Sequence, residues 1–104
     1  MSPSAADKRK VGDRVFETVA PVLRALGHPN RLRMAHMLIR REMSVGQIAA
    51  TLKLAHNTTS QHLGIMLDCG ILERDQRGRH VYYKVVRPAV RALLQCIWKN
   101  AGRL

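Results

Sequence analysis

Seven consecutive polar residues, His56-Asn57-Thr58-Thr59-Ser60-Gln61-His62, run directly into Leu63, Ile65, Met66 and Leu67. None of the seven carries a fixed charge. Asn and Gln can pair in bidentate fashion with adenine, and Ser can bond several bases, so the run offers hydrogen-bonding groups suited to base edges. A merely solvated helix face would be built from better helix formers such as Glu and Lys. A second cluster, Arg77-Gly78-Arg79, places two guanidinium groups beside a glycine, where they can hold phosphate or enter a minor groove. Arg31, Lys53 and Arg74 are further phosphate candidates. Catalytic arrangements are not legible: there are no paired carboxylates, nucleophile triad or phosphate loop, and Asp68, Glu73 and Asp75 lie around a turn without a partner. No enzyme is expected. Cys69 and Cys96 are too few for a disulfide framework and match no zinc-finger spacing. The five histidines are scattered, so neither a metal nor another cofactor is expected.

The charge supports the same reading. Over 104 residues, 18 Lys+Arg face 7 Asp+Glu, for a net charge of +11, while 46% of residues are hydrophobic. That is a globular composition and not a disordered polycation. Its partner is expected to be a polyanion. Between Glu42 and Asp68 there is no acid and the one fixed cation is Lys53; after Asp75 there is no acid at all. A neutral polar middle followed by a cationic end suits a DNA reader, in which cations hold phosphates and neutral side chains read bases. No apolar run approaches the roughly 20 residues that span a bilayer. Met1 to Lys10 lacks the apolar segment of a secretory signal, so a cytoplasmic, nucleoid-associated protein is expected. The length excludes large enzymes and predicts one domain with a modest core, which dimerisation would enlarge.

The elements that must position these groups follow from periodicity. Residues 1–10 read as a flexible basic arm, and 11–104 as a single domain. Val15, Phe16, Val19, Val22, Leu23 and Leu26 recur at helical spacing, with Pro21 predicting a kink or two short helices. Asn30 is a candidate N-cap for a second helix striped by Leu32, Ala35, Leu38 and Ile39. Ser44 with Gln47 has capping-box spacing and opens a third helix over Val45, Ile48, Ala49 and Leu52. Lys53-Leu54-Ala55 is a turn. The polar run then begins a fourth helix ending at Gly70, in which Gly64 would allow another backbone to approach closely. Residues 71–74 and 80–86 read as two strands bracketing a turn over Asp75–Arg79. Pro88 opens a last helix striped by Val90, Leu93, Leu94, Ile97 and Trp98. Short helix, three-residue turn and polar-faced helix make a helix-turn-helix, and the basic hairpin makes it winged. The fold class is mainly α with a small β-hairpin, about five helices and a two-stranded wing. Thr59, Leu63 and Met66 face inward, and His56, Asn57, Ser60 and Gln61 face the groove, with Thr58 touching phosphate or base.

Four stretches resemble the ArsR (arsenic-repressor-type) family of bacterial transcription regulators. They are Leu26-Gly27-His28-Pro29-Asn30-Arg31-Leu32-Arg33, Thr58-Thr59-Ser60-Gln61-His62-Leu63, Cys69-Gly70-Ile71-Leu72 and Gly78-Arg79-His80-Val81-Tyr82-Tyr83. The resemblance implies a homodimer in which the first and last helices pair across the two-fold and two recognition helices bind an inverted repeat in double-stranded DNA. Phe16, Val19, Leu23, Leu93, Leu94, Ile97 and Trp98 would supply that interface. The family's arsenic thiolates correspond to Ser44-Val45-Gly46, its Asp/His zinc set would need acids or histidines after His80, and its sulfide sensors use a Cys in the second helix; none of these is present. The resemblance therefore implies a metal-independent repressor. Two alternatives stay open: a thiol sensor using Cys69 and Cys96, and an architectural winged helix without sequence preference.

Overall fold

The structure, a computed structural model, describes residues 12–104. The basic arm expected over residues 1–10 lies outside the described residues. Helix α1 spans Asp13–Leu26 as one continuous helix with Pro21 inside it, so the two short helices the sequence allowed are not formed. Pro21 removes only the amide that would reach the carbonyl of Glu17. Ala25 and Leu26 anchor the turn after Pro21 in the core, while Asp13–Val19 before it are exposed.

Helix α2 spans Pro29–Arg40, and its N-cap is His28 and not Asn30. Proline takes the first helical position because its φ is already helical and its missing amide is not needed there. The capping role therefore moves one residue upstream: His28 Nδ1 accepts the Asn30 backbone N–H at 3.0 Å. Asn30 Oδ1 instead accepts from Arg33 Nη1 at 2.7 Å.

A short strand, β1 (Met43–Ser44), leads into α3 (Val45–Leu52). The capping box forms as expected: Ser44 Oγ accepts the Gln47 N–H at 3.2 Å, and Gln47 Oε1 accepts the Ser44 N–H at 2.9 Å. Lys53 turns left-handed, with φ 57 and ψ 46, and starts the turn to α4 (His56–Asp68). Strands β2 (Leu72–Arg77) and β3 (His80–Val85) form the wing, and α5 (Pro88–Lys99) follows, then a 3-10 turn over Ala101–Arg103.

The wing differs from expectation in two ways. Strand β1 adds to it, making a three-stranded antiparallel sheet in the order β1-β3-β2. Two residues between helices are too short to read as a strand, and their pairing with Tyr82 and Tyr83 is a tertiary event. Asp75, Gln76 and Arg77 are also strand and not turn, opposite Tyr82, Val81 and His80. The loop shrinks to Gly78-Arg79, with positive φ at Gly78 and not at Arg79, the pattern of a type II′ hairpin.

Met34 and Leu38 of α2, Ile48 of α3, Leu63 and Met66 of α4, Ile71 just before β2 and Leu94 of α5 close the core. Leu94 is thus an internal residue, not part of an external stripe: one turn of α5 points into this chain's own core. Ile97 packs partly against it. The rest of the expected interface set, Phe16, Val19, Leu23, Leu93 and Trp98, is exposed.

Gly70 closes α4 with φ +79, and Arg87 Nε donates to its carbonyl at 2.9 Å. A Cβ here would lie 2.7 Å from Arg87 Nη2. Gly70→Ala is expected to cost about 1–2 kcal/mol from the left-handed backbone alone. Urea unfolding measures it; an unchanged midpoint would refute the assignment.

Candidate nucleic-acid interface

Helix α4 is divided lengthwise. Thr59, Leu63 and Met66, one helical face, are buried, while His56, Asn57, Ser60 and Gln61 are exposed and Thr58 is half-buried at the margin. Thr59 is fully buried and satisfies its hydroxyl locally, donating to the Ala55 carbonyl at 2.9 Å. Burial of those three residues turns the polar face outward. Gly64 has nothing within 4 Å of where its Cβ would stand, so within the described residues no backbone approaches it, contrary to expectation.

A groove opens between the start of α3, the start of α4 and the wing, lined by Ser44, Val45, Gly46, Gln47, His56, Arg79, His80 and Val81. It brings the first polar residue of α4 and the wing-tip arginine to one concavity, although they are 23 positions apart in the chain. Gln47 and the α3 N-terminus were not singled out from the sequence, because the capping box explains Gln47 without any groove.

The candidate cations are not equivalent. Arg77 Nη2 reaches both Glu42 carboxylate oxygens, at 2.8 and 2.9 Å, and its Nε reaches Asp75 at 2.9 Å. Its guanidinium also lies over the Tyr82 ring, 4.9 Å from the centroid. The hydrogen bond to Glu42, then that to Asp75, raises its pKa further above the ordinary arginine value. Two carboxylates thus compensate this cation and fasten β2 to the loop before β1. Among the described residues, both side-chain ion pairs belong to Arg77. Arg79 at the tip, Lys53 and Arg74 are exposed.

Arg31 is also committed internally. Its Nε donates to the Ala25 carbonyl at 2.6 Å and its Nη1 to His62 Nδ1 at 3.2 Å. The structure therefore places it as a bridge between α1, α2 and α4. His62 lies with its ring centroid 4.6 Å from that of His28. Its pKa is lowered by burial, then by His28 and by Arg31.

Two arginines that the sequence left unexplained close helix ends. Arg87 donates to Gly70 beyond α4, and Arg91 Nη1 donates to the Ile39 carbonyl near the end of α2 at 3.2 Å. Cations at helix C-termini meet the negative end of the helix dipole. Pairings across 17 and 52 positions leave no trace in local pattern.

Both thiols are free. Cys69 is half-buried beside the Met66 carbonyl, and Cys96 is exposed on α5. Among the described residues, no group of three or more His, Cys, Asp or Glu is arranged to hold a metal ion, and no helix is long and apolar enough to cross a membrane.

A helix-turn-helix domain family model matches residues 26–75. Among curated proteins, the biofilm growth-associated repressor of Agrobacterium fabrum is 31% identical over 80 residues, 77% of this chain and 68% of that protein. Among solved structures, the transcriptional repressor BigR from Xylella fastidiosa superposes with a TM-score of 0.77 at 26% identity, over 95% of each chain. The homodimeric winged helix-turn-helix DNA-binding domain of a candidate ArsR-family regulator from Mycobacterium bovis superposes with a TM-score of 0.79 at 26% identity, over 89% of each chain.

Proposed function

Because the chain belongs to the ArsR-type family of winged helix-turn-helix transcriptional regulators, we propose that it works as a homodimeric, metal-independent repressor that reads an inverted-repeat operator in double-stranded DNA. The observation that carries this reading is the lengthwise division of α4, in which buried Thr59, Leu63 and Met66 hold an uncharged, hydrogen-bonding face outward. His56, Asn57, Ser60 and Gln61 read base edges in the major groove, with Thr58 at the phosphate margin. Arg79 contacts phosphate or the minor groove from the wing, and Lys53 and Arg74 add phosphate contacts. Arg77 instead holds the wing against Glu42, and Arg31 braces α4. Residues 11–104 act as one DNA-binding unit at the nucleoid, in the cytoplasm, with no catalytic step. The repressor sense follows the names of the Agrobacterium and Xylella relatives.

The test is selection of bound duplexes from a random pool, followed by gel-shift titration over salt. A two-fold symmetric consensus is expected, insensitive to a chelator. Binding of the selected duplex no tighter than bulk DNA would favour an architectural protein and sink the operator reading. On the selected duplex, Gln61→Ala is expected to lose about 1–3 kcal/mol of discrimination against random DNA. Arg79→Ala should weaken both duplexes alike and reduce the salt slope by about 1. Arg77→Ala should leave that slope nearly unchanged, since its charge is already compensated.

A further inference from the structure

Three polar side chains meet where the end of α1, the start of α2 and the middle of α4 converge. Arg31 donates through Nε to the carbonyl of Ala25, in the last turn of α1, at 2.6 Å, and through Nη1 to His62 Nδ1 at 3.2 Å. Arginine has donors only, so His62 must present a bare Nδ1 and carry its single proton on Nε2. The neighbouring His28 ring is under the same demand: its Nδ1 accepts the backbone N–H of Asn30 and thereby caps α2. Two imidazoles 4.6 Å apart thus each use Nδ1 as an acceptor, with a guanidinium against one of them.

We propose that Arg31 and His62 are positioning residues that tie the recognition helix to the end of α1, and that the tie holds only while the His62 ring is neutral, so that sequence discrimination weakens in acid. This rests on the DNA-reading role proposed above for α4. His62 directly follows Gln61 on that helix, so a ring fixed by Arg31 fixes the rotation that aims Ser60 and Gln61 outward. Helix α1 carries the exposed Phe16, Val19 and Leu23, so the same tie links the recognition helix and the expected dimer face through one guanidinium.

Protonation inverts the contact. A proton on Nδ1 leaves two donors facing each other, and an imidazolium would stand beside Arg31 and His28 with no carboxylate among the groups that shift its titration. Those two are also the charged or titratable groups facing it: both lie on or at the cap of α2, while α1 contributes only the Ala25 carbonyl at the other end of the guanidinium. The direction agrees. The folded-state pKa is lowered below the ordinary 6.5, so the unfolded chain takes up the proton first. Stability from this group is complete above about pH 6.5 and is lost as pH falls through the lower folded-state value.

The variant that separates the roles is His62→Asn, whose Oδ1 can stand near Nδ1 and accept from Arg31 but does not titrate. Two readouts are taken at about pH 7.5 and 5.5, bracketing the ordinary histidine range. The first needs no DNA: amide hydrogen exchange of α4, together with NMR titration of the His62 ring. The wild type should lose protection in α4 in acid, and His62→Asn should not. The second is the ratio of affinities for the selected duplex and a random one, compared between the wild type and His62→Asn so that effects of pH common to both cancel. That ratio should fall by about fivefold or more in the wild type, the lower end of usual coupling. It should stay flat in His62→Asn, and be low at both pH values in His62→Leu. Wild-type α4 protection that is flat with pH, or an equal acid loss in His62→Asn, overturns the proposal. Acid loosening of α4 without any discrimination at neutral pH would instead overturn the operator reading and leave the tie standing.

Discussion

Truncating Leu63 to alanine is expected to destabilise the protein by about 2–5 kcal/mol, the usual range for a large-to-small change in a closed core. Leu63 has no solvent exposure. It sits at the centre of α4, between Thr59 and Met66 on the buried face. Alanine is itself a good helix former, so the loss is not one of propensity. It comes from removed apolar contacts and from a cavity that α2 and α3 can collapse into only partly. Because small domains have about 5–15 kcal/mol in total, the variant would stand near the limit of cooperative folding. Chemical denaturation followed by circular dichroism measures the effect. A loss under about 1 kcal/mol would mean that α4 is not held by this face, and the account of how its polar side is aimed would fail with it.

The second large effect is on DNA and leaves the monomer folded. Phe16 is 62% and Leu23 51% exposed, on a face of α1 beside a groove lined by Val19, Val22, Ala89, Val90 and Leu93. Large apolar side chains this exposed on adjoining helices mark an interaction surface. Phe16→Asp combined with Leu23→Asp puts carboxylates on a face that is solvated in one chain. The monomer should keep its unfolding cooperativity, because neither residue belongs to the buried core. A face shared by two copies would instead place like charges against each other in a desolvated interface. The double variant is expected to sediment as a monomer. It should also bind the selected duplex on the order of 10²–10⁴-fold more weakly, the gain that joining two half-site contacts supplies. Unchanged sedimentation would remove α1 from the dimer interface, and a monomer with full affinity would refute binding through two joined half-sites.

Much of the site was legible before the fold. A run of neutral hydrogen-bonding residues ahead of an apolar helical stripe can satisfy its periodicity in only one rotation, so the division of α4 follows from spacing alone. The α3 capping box and the Gly70 stop were legible for the same local reason, since each is settled by residues within one turn. The misreadings share another character. Pro21 allowed a kink or two short helices by a local rule, and the helix runs through it without dividing. The turn was placed over Asp75–Arg79 because its residue types favour turns, whereas pairing opposite Tyr82, Val81 and His80 extended the strand to Arg77.

What the sequence determined by itself is therefore what period, cap and turn chemistry control: helix phases, the neutral polar face of α4, and a cationic excess suited to a polyanion. What only the tertiary structure decided is which cations remain available. Arg77, Arg31, Arg87 and Arg91 look alike in the sequence, yet each finds an acceptor far along the chain: Glu42, His62, Gly70 and Ile39 respectively. A guanidinium on a long, flexible stem takes whichever carbonyl, carboxylate or ring nitrogen the fold brings within reach. That choice depends on distances between elements, which local pattern does not encode. Leu94 turned inward and Phe16 outward on the same grounds, since packing geometry and not hydrophobicity assigns an apolar residue to one chain's core or to its surface.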